Sequence, residues 1–231
     1  MKKIIDNAWL LALGTANAVL LQQGAELALF DAGFAGKEQV VYDAIEKLGR
    51  RPSDLKHFVF THGHPDHIGS AAAIVAATGA RTYMHAADAP LAETGGPFRP
   101  MTRSPGLISM VTFRLFWDPN QRMQPFAIDQ HIADGETLPI MGGLCVIGTP
   151  GHCAGQVAFL WQGHRLLIGG DVFMNVMGLG DPIGFEDQAE GRRSQHKLGD
   201  LEFEAAAFGH GNAITSNAVD RIRRKLGRSG A

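Results

Sequence analysis

Six consecutive residues, His62-Gly63-His64-Pro65-Asp66-His67, carry three imidazoles and a carboxylate. Imidazole and carboxylate are the side chains that give lone pairs to divalent cations, and the segment reads as too short and too kinked to be a helix. Few structural needs call for such a density of ligands; a metal site does, and two adjacent metals do so better. Three more residues of the same kinds follow predicted strands in the second half. They are His152 in Thr149-Pro150-Gly151-His152, Asp171 in Ile168-Gly169-Gly170-Asp171 and His210 in Phe208-Gly209-His210-Gly211. Each comes directly after a glycine, which lets backbone pack closely behind the ligand. The seven donors are all nitrogen or oxygen, a set that suits zinc and is compatible with iron or manganese. Two ions ~3.5–4 Å apart would share a water and bring its pKa towards ~7, giving a bridging hydroxide as nucleophile. Asp66 is the candidate to orient that hydroxide and shuttle its proton.

The elements that must position these groups are mostly legible as patterns. Ala18–Leu21 and Leu27–Phe30 are apolar runs around Gln22-Gln23-Gly24, a hairpin signal. Lys37–Leu48 has helical spacing, with Val40, Val41, Ala44, Ile45 and Leu48 on one face. Phe58-Val59-Phe60 is a buried strand leading into the histidine cluster, and Gly69–Thr78 is a helix stopped by Gly79. Strands are predicted at 81–85, 128–132, 144–149, 156–161, 165–168 and 205–208, with Gly163 turning one hairpin. Helices are predicted at 186–197 and 212–226.

Between Pro90 and Pro125 lie six of the eleven prolines, together with Phe98, Phe113, Phe116, Trp117 and Arg99, Arg103, Arg114 and Arg122. This reads as an irregular insertion with a helical piece at 107–116. It serves either as a lid over an apolar substrate with an anionic group or as the contact of a homodimer.

Bulk properties narrow the class. The 231 residues suit a single domain, 1–231, with ample core. A net charge of −2 offers no footprint for nucleic acid or an anionic membrane, so the expected partner is a small-molecule substrate. No run reaches the ~18–20 apolar residues of a membrane span. Met1-Lys2-Lys3 followed by Ala8–Leu13 has a leader-like cast, but the strand pattern that follows favours a cytoplasmic protein. Only Cys145 and Cys153 are present, which is no disulfide framework. Of the remaining histidines, His57, His131, His164 and His196 read as ordinary surface or strand-end residues. His85, at a strand end, is a candidate to face the pocket.

The set His62-x-His64-x-Asp66-His67, His152, Asp171 and His210 resembles the metallo-β-lactamase-fold superfamily, over nearly the whole chain from Asp31-Ala32-Gly33 to His210. The resemblance implies an α/β fold, a four-layer αββα sandwich of two mixed β-sheets with the metals at one edge. It implies one zinc held by His62, His64 and His152, a second held by Asp66, His67 and His210, and Asp171 bridging both. Asp31 would orient a ligand through a hydrogen bond. The implied activity is hydrolysis of an ester, thioester, lactone or related bond. The glyoxalase II-like branch shares all seven ligands but carries a helical C-terminal domain, and only about twenty residues follow His210. His64 stands where oxygen-reducing flavodiiron relatives carry Glu. The rival activity is that of a mononuclear iron persulfide dioxygenase, which would use His62, His152 and Asp171 on one iron.

Overall fold

Alternation of side chains along the central strands sorts the apolar residues into three cores. The computed structural model describes residues 1–228, and for Ile108 the backbone alone. In strand Asn17–Gln23, Val19 and Leu21 enter one core while Ala18 and Leu20 enter another; Ala28 and Phe30 of Glu26–Phe30 separate from Leu27 and Leu29 in the same way. In the second half, Val157, Phe159 and Trp161 join the core of Val19 and Phe30, and Ala158 and Leu160 face a third. A strand of period two with both faces buried must lie between two layers.

Two mixed sheets result. The first runs Lys2–Ile5, Ala8–Ala12, Asn17–Gln23, Glu26–Phe30, Leu55–Val59, Arg81–His85, Gln130–Ile132 in spatial order. Its first four strands are antiparallel and its last three pairings parallel. The second runs Ala205–Ala207, Leu166–Ile168, Val157–Trp161, Leu144–Gly148, Thr137–Leu138, parallel only in its first pairing. The sheets meet face to face, with the Phe30 and Phe159 rings edge-on at 5.3 Å. Helices Glu38–Lys47 and Ala71–Thr78 cover the outer face of the first sheet through Val41, Ile45 and Ile74; helices Gln188–Gly199 and Ala218–Lys225 cover the second through Leu198, Val219 and Ile222. This is the expected αββα sandwich.

Several local readings change. The leader-like stretch is a strand, Ala8–Ala12, paired on both sides. The histidine segment is not free of helix: Pro65–Ile68 forms one helical turn, with His64 just before it and Pro65 at the first position, where a missing N–H costs nothing. Gly163 does turn its hairpin, as the middle residue of a 3-10 turn at Gln162–His164, while Arg165 takes the left-handed conformation. The last helix begins at Ala218, because Ile214 pairs with Ala206 instead.

The insertion is also more ordered than its prolines suggest. It opens with helix Ala89–Thr94, and its strand Thr102–Arg103 pairs with Gly184–Phe185. Helix Leu107–Phe116 lies where the sequence places it.

Candidate metal centre

All seven predicted ligands converge at one end of the sandwich. His62, His64 and His67 follow strand Leu55–Val59, Asp171 follows Leu166–Ile168, and His210 follows Ala205–Ala207. His152 lies between the paired strands Leu144–Gly148 and Val157–Trp161. Two groups form. His62, His64 and His152 bring a ligand atom each within 4.8 Å of one another, and so do Asp66, His67 and His210. Asp171 stands between them. Its Oδ2 is 3.6 Å from His152 Nε2 and 3.1 Å from His210 Nε2, and its Oδ1 is 3.4 Å from His67 Nε2. The backbone packs tightly behind the cluster: a Cβ on Gly209 would collide with Asp171 Oδ1 and His67 Cε1.

The outward hydrogen bonds fix which nitrogen of each ring faces in. Nδ1–H of His152 donates to Gly184 O at 2.8 Å, that of His67 to Asp31 Oδ2 at 2.9 Å, and that of His210 to Thr15 O at 2.8 Å. The Thr61 hydroxyl donates to Asp31 Oδ2 at 2.7 Å and accepts from His62 Nδ1 at 3.0 Å. In these four rings Nε2 is the nitrogen turned towards the centre. His64 is reversed: its Nδ1 lies 3.0 Å from His152 Nε2.

The residues fit a metal. His62 Nε2, His67 Nε2 and Asp171 Oδ1 are buried without any hydrogen-bond partner. Buried polar atoms are normally paired, and three potential ligand atoms orphaned together ask for a cation.

Charge divides the cluster. Burial, and then the surrounding imidazoles, hold His62 well below the usual imidazole range. Burial lowers His64 and His152 as well. These rings are neutral at pH 7, the form that ligates. Burial works to lower His67 too, but Asp171, Asp66 and Asp31 overcome it and push it up to about 9. His210 is likewise raised, by Asp171 and Asp66 against burial. Burial works to raise Asp66 and Asp171, yet the facing imidazoles of His67 and His210 hold both below the carboxylate range.

Behind the first group lies a polar network that sequence reasoning missed. Asp88, fully buried, accepts from Gly63 N at 2.8 Å, Gly155 N at 2.9 Å and Cys153 Sγ at 2.9 Å, and pairs with Arg99. It thereby ties the loop of His62 and His64 to the loop of His152. Arg99 also reaches Glu186 at 2.9 Å, and Glu186 accepts from Ala154 N at 2.8 Å. Burial, then Asp88, pushes the Cys153 thiol well up, so it donates as a neutral group. His64, Cys153 and Glu186 could also group around an ion, but the guanidinium of Arg99 already holds that place. In sequence, Asp88 before Ala89-Pro90 reads as a helix cap, yet its side chain makes no cap bond.

Asp31 does hydrogen-bond one of the predicted ligands, His67. His85 instead accepts from Ala87 N at 3.2 Å and belongs to no metal-capable group among the described residues. Both cysteines are free. Trp117 of the insertion meets the His64 ring edge-on at 5.0 Å. Next to Asp66 and His210 opens a cavity of about 390 Å³, bounded in part by Thr112 and Phe116 of the insertion helix.

An αββα sandwich with a His/Asp cluster at its edge defines a metal-dependent hydrolase. The chain belongs to the metallo-beta-lactamase superfamily, whose sequence model matches residues 11–213. The "probable metallo-hydrolase YflN" of Bacillus subtilis is 28% identical over 225 residues, 89% of this chain and 84% of that one. A hydroxyacylglutathione hydrolase of Rhodobacter capsulatus is 29% identical over 132 residues, 57% of this chain and 39% of that one. A metallo-beta-lactamase family protein of Thermus thermophilus superimposes with a TM-score of 0.70 at 24% identity, covering 97% of this chain and 80% of that one, and shares the fold. No helix among the described residues is long and apolar enough to cross a membrane.

Proposed function

We propose that the protein is a two-metal, zinc-dependent hydrolase that cleaves an ester, thioester, lactone or related carbonyl bond in a small molecule. The observation that carries this reading is the division of seven N/O donors into two groups that share Asp171, beside an open cleft. His62, His64 and His152 would hold one ion, Asp66, His67 and His210 the other. Divalent ions held there supply Lewis acidity for a carbonyl oxygen and a water of lowered pKa.

The chain's own groups do the rest. Asp66 lines the cleft, and its Oδ2 sits 3.3 Å from His210 Nε2. Held ionised, it orients the attacking water, takes its proton and returns it to the leaving group. Asp31 and Thr15 O keep the His67 and His210 rings turned for this arrangement. Trp117 and the insertion helix cover the centre and limit water. The name of the Rhodobacter relative supports a thioester among the candidate bonds. The free thiols of Cys145 and Cys153 suit a reducing, cytoplasmic setting.

The test is a screen of the zinc-loaded protein against ester, thioester, lactone, β-lactam and phosphodiester panels, with Asp66→Asn as control. Turnover of a carbonyl ester or thioester that falls by about 10²–10⁴ in the variant is expected. Oxygen uptake with a persulfide and no hydrolysis would replace this reading with the iron dioxygenase.

A further inference from the structure

The cleft beside Asp66 and His210 is a built space, and its lining has one chemical character. Its twelve lining residues include no lysine or arginine, and the charged or titratable ones are Asp66 and His210, both in the ligand cluster. Phe34, Phe116, Met174, Val176 and Ile183 supply apolar wall. Asn17 is already spent, donating to Phe208 O at 3.1 Å and Gly211 O at 2.7 Å. At about 390 Å³ the space falls within the range of small-molecule sites. Phe116 is 51% and Val176 56% exposed, a large apolar exposure for side chains at a pocket mouth. None of the four arginines of the insertion is in the lining; Arg99 is bound to Asp88 and Glu186, and Arg122 to backbone oxygens. Lys37 is not among the lining residues, though its Cε lies 3.8 Å from where a Cβ on the lining Gly14 would sit.

We infer that this cleft receives the acyl chain of the substrate, and that the chain is apolar and of medium length. The inference rests on the hydrolase reading above. The carbonyl under attack must lie against Asp66 and His210 at the floor of the cleft. The leaving group has to take a proton and depart, whereas the acyl substituent stays attached to the attacked carbon. The apolar space that continues from the floor therefore fits the acyl side. The wall offers such a chain five apolar side chains and no lysine or arginine.

Binding and turnover test this separately. Methyl ketones of increasing chain length, neutral and not hydrolysable, are titrated calorimetrically into the protein as purified. The dissociation constant should fall about fourfold for each added methylene, in line with burial of one such group, and level off once the cleft is full. Phe116→Ala should weaken the long ketones several-fold and leave acetone-sized ones unchanged. A flat dependence on length would overturn the inference. In parallel, p-nitrophenyl esters from acetate to decanoate are assayed with zinc-loaded protein, and kcat/KM should climb with the same slope. Turnover of acetate with no rise along the series would remove the acyl-chain assignment and leave the hydrolase reading standing. Length-dependent ketone binding with no ester, thioester or lactone cleaved at any length would instead remove the hydrolase reading.

Discussion

The two halves of the ligand cluster grow from one loop but are built to opposite ends. His62, His64 and His152 are braced from behind. Asp88 locks both of their loops, Arg99 and Glu186 lock Asp88, and Trp117 closes the remaining edge. Asp66, His67 and His210 are held at the back by Asp31 and Thr15 O, but they face an open apolar cleft. The braced side presents three neutral rings; the open side gathers carboxylates that draw positive charge onto His67 and His210. On the proposed function, fixed geometry and reacting chemistry would fall on different sides, with Asp171 between them.

Substitutions can break that division in order of severity. Asp171→Ala touches both sides and should cost the most: turnover should fall far beyond the ~10–100-fold that losing a supporting partner costs. Metal content should fall with it, as read by elemental analysis. Asp66→Asn keeps shape but removes the base, so kcat should fall by about 10²–10⁴ while metal content stays near normal. Asp88→Asn acts only through the braced side. It should weaken metal affinity by ~10–100-fold, measured by competition with a chelator, with the largest loss for the first ion released. It should also lower the urea midpoint, because Arg99 loses a buried partner.

The pH dependence of the metal-free protein separates the sides next. The folded His67 pKa, about 9, lies above its ordinary value of 6.5. Its contribution to stability is therefore complete below about pH 6.5 and is lost as pH rises through 9. The melting temperature of chelator-treated protein should decline over that window, and loading with zinc should flatten the decline. Cys153→Ser should matter least. A hydroxyl keeps the donation to Asp88, so metal affinity should change by less than about tenfold, and the buried native thiol should resist alkylation while Cys145 reacts.

What the sequence made legible follows the same line. The ligand types were readable because imidazole and carboxylate clusters at strand ends have few other uses, and the sheets because Ala18–Leu21, Leu27–Phe30 and Val157–Trp161 are short, continuous apolar runs, as strands buried on both faces must be. The brace was not readable. Asp88, Arg99 and Glu186 are far apart in sequence, and each has a commoner reading as a cap, a loop cation or a helix-start acid. The helical turn Pro65–Ile68 was hidden because three of its four residues also read as ligands or as a kink. Strand Ala8–Ala12 was hidden because one apolar run serves equally as leader or strand until its partners are known.

The most direct test of the account is metal stoichiometry measured together with the reaction catalysed. Protein purified without chelator and assayed on the acyl ester panel should hold two divalent ions per chain and hydrolyse without consuming oxygen. A single iron per chain, with oxygen uptake and no ester cleavage, would contradict it.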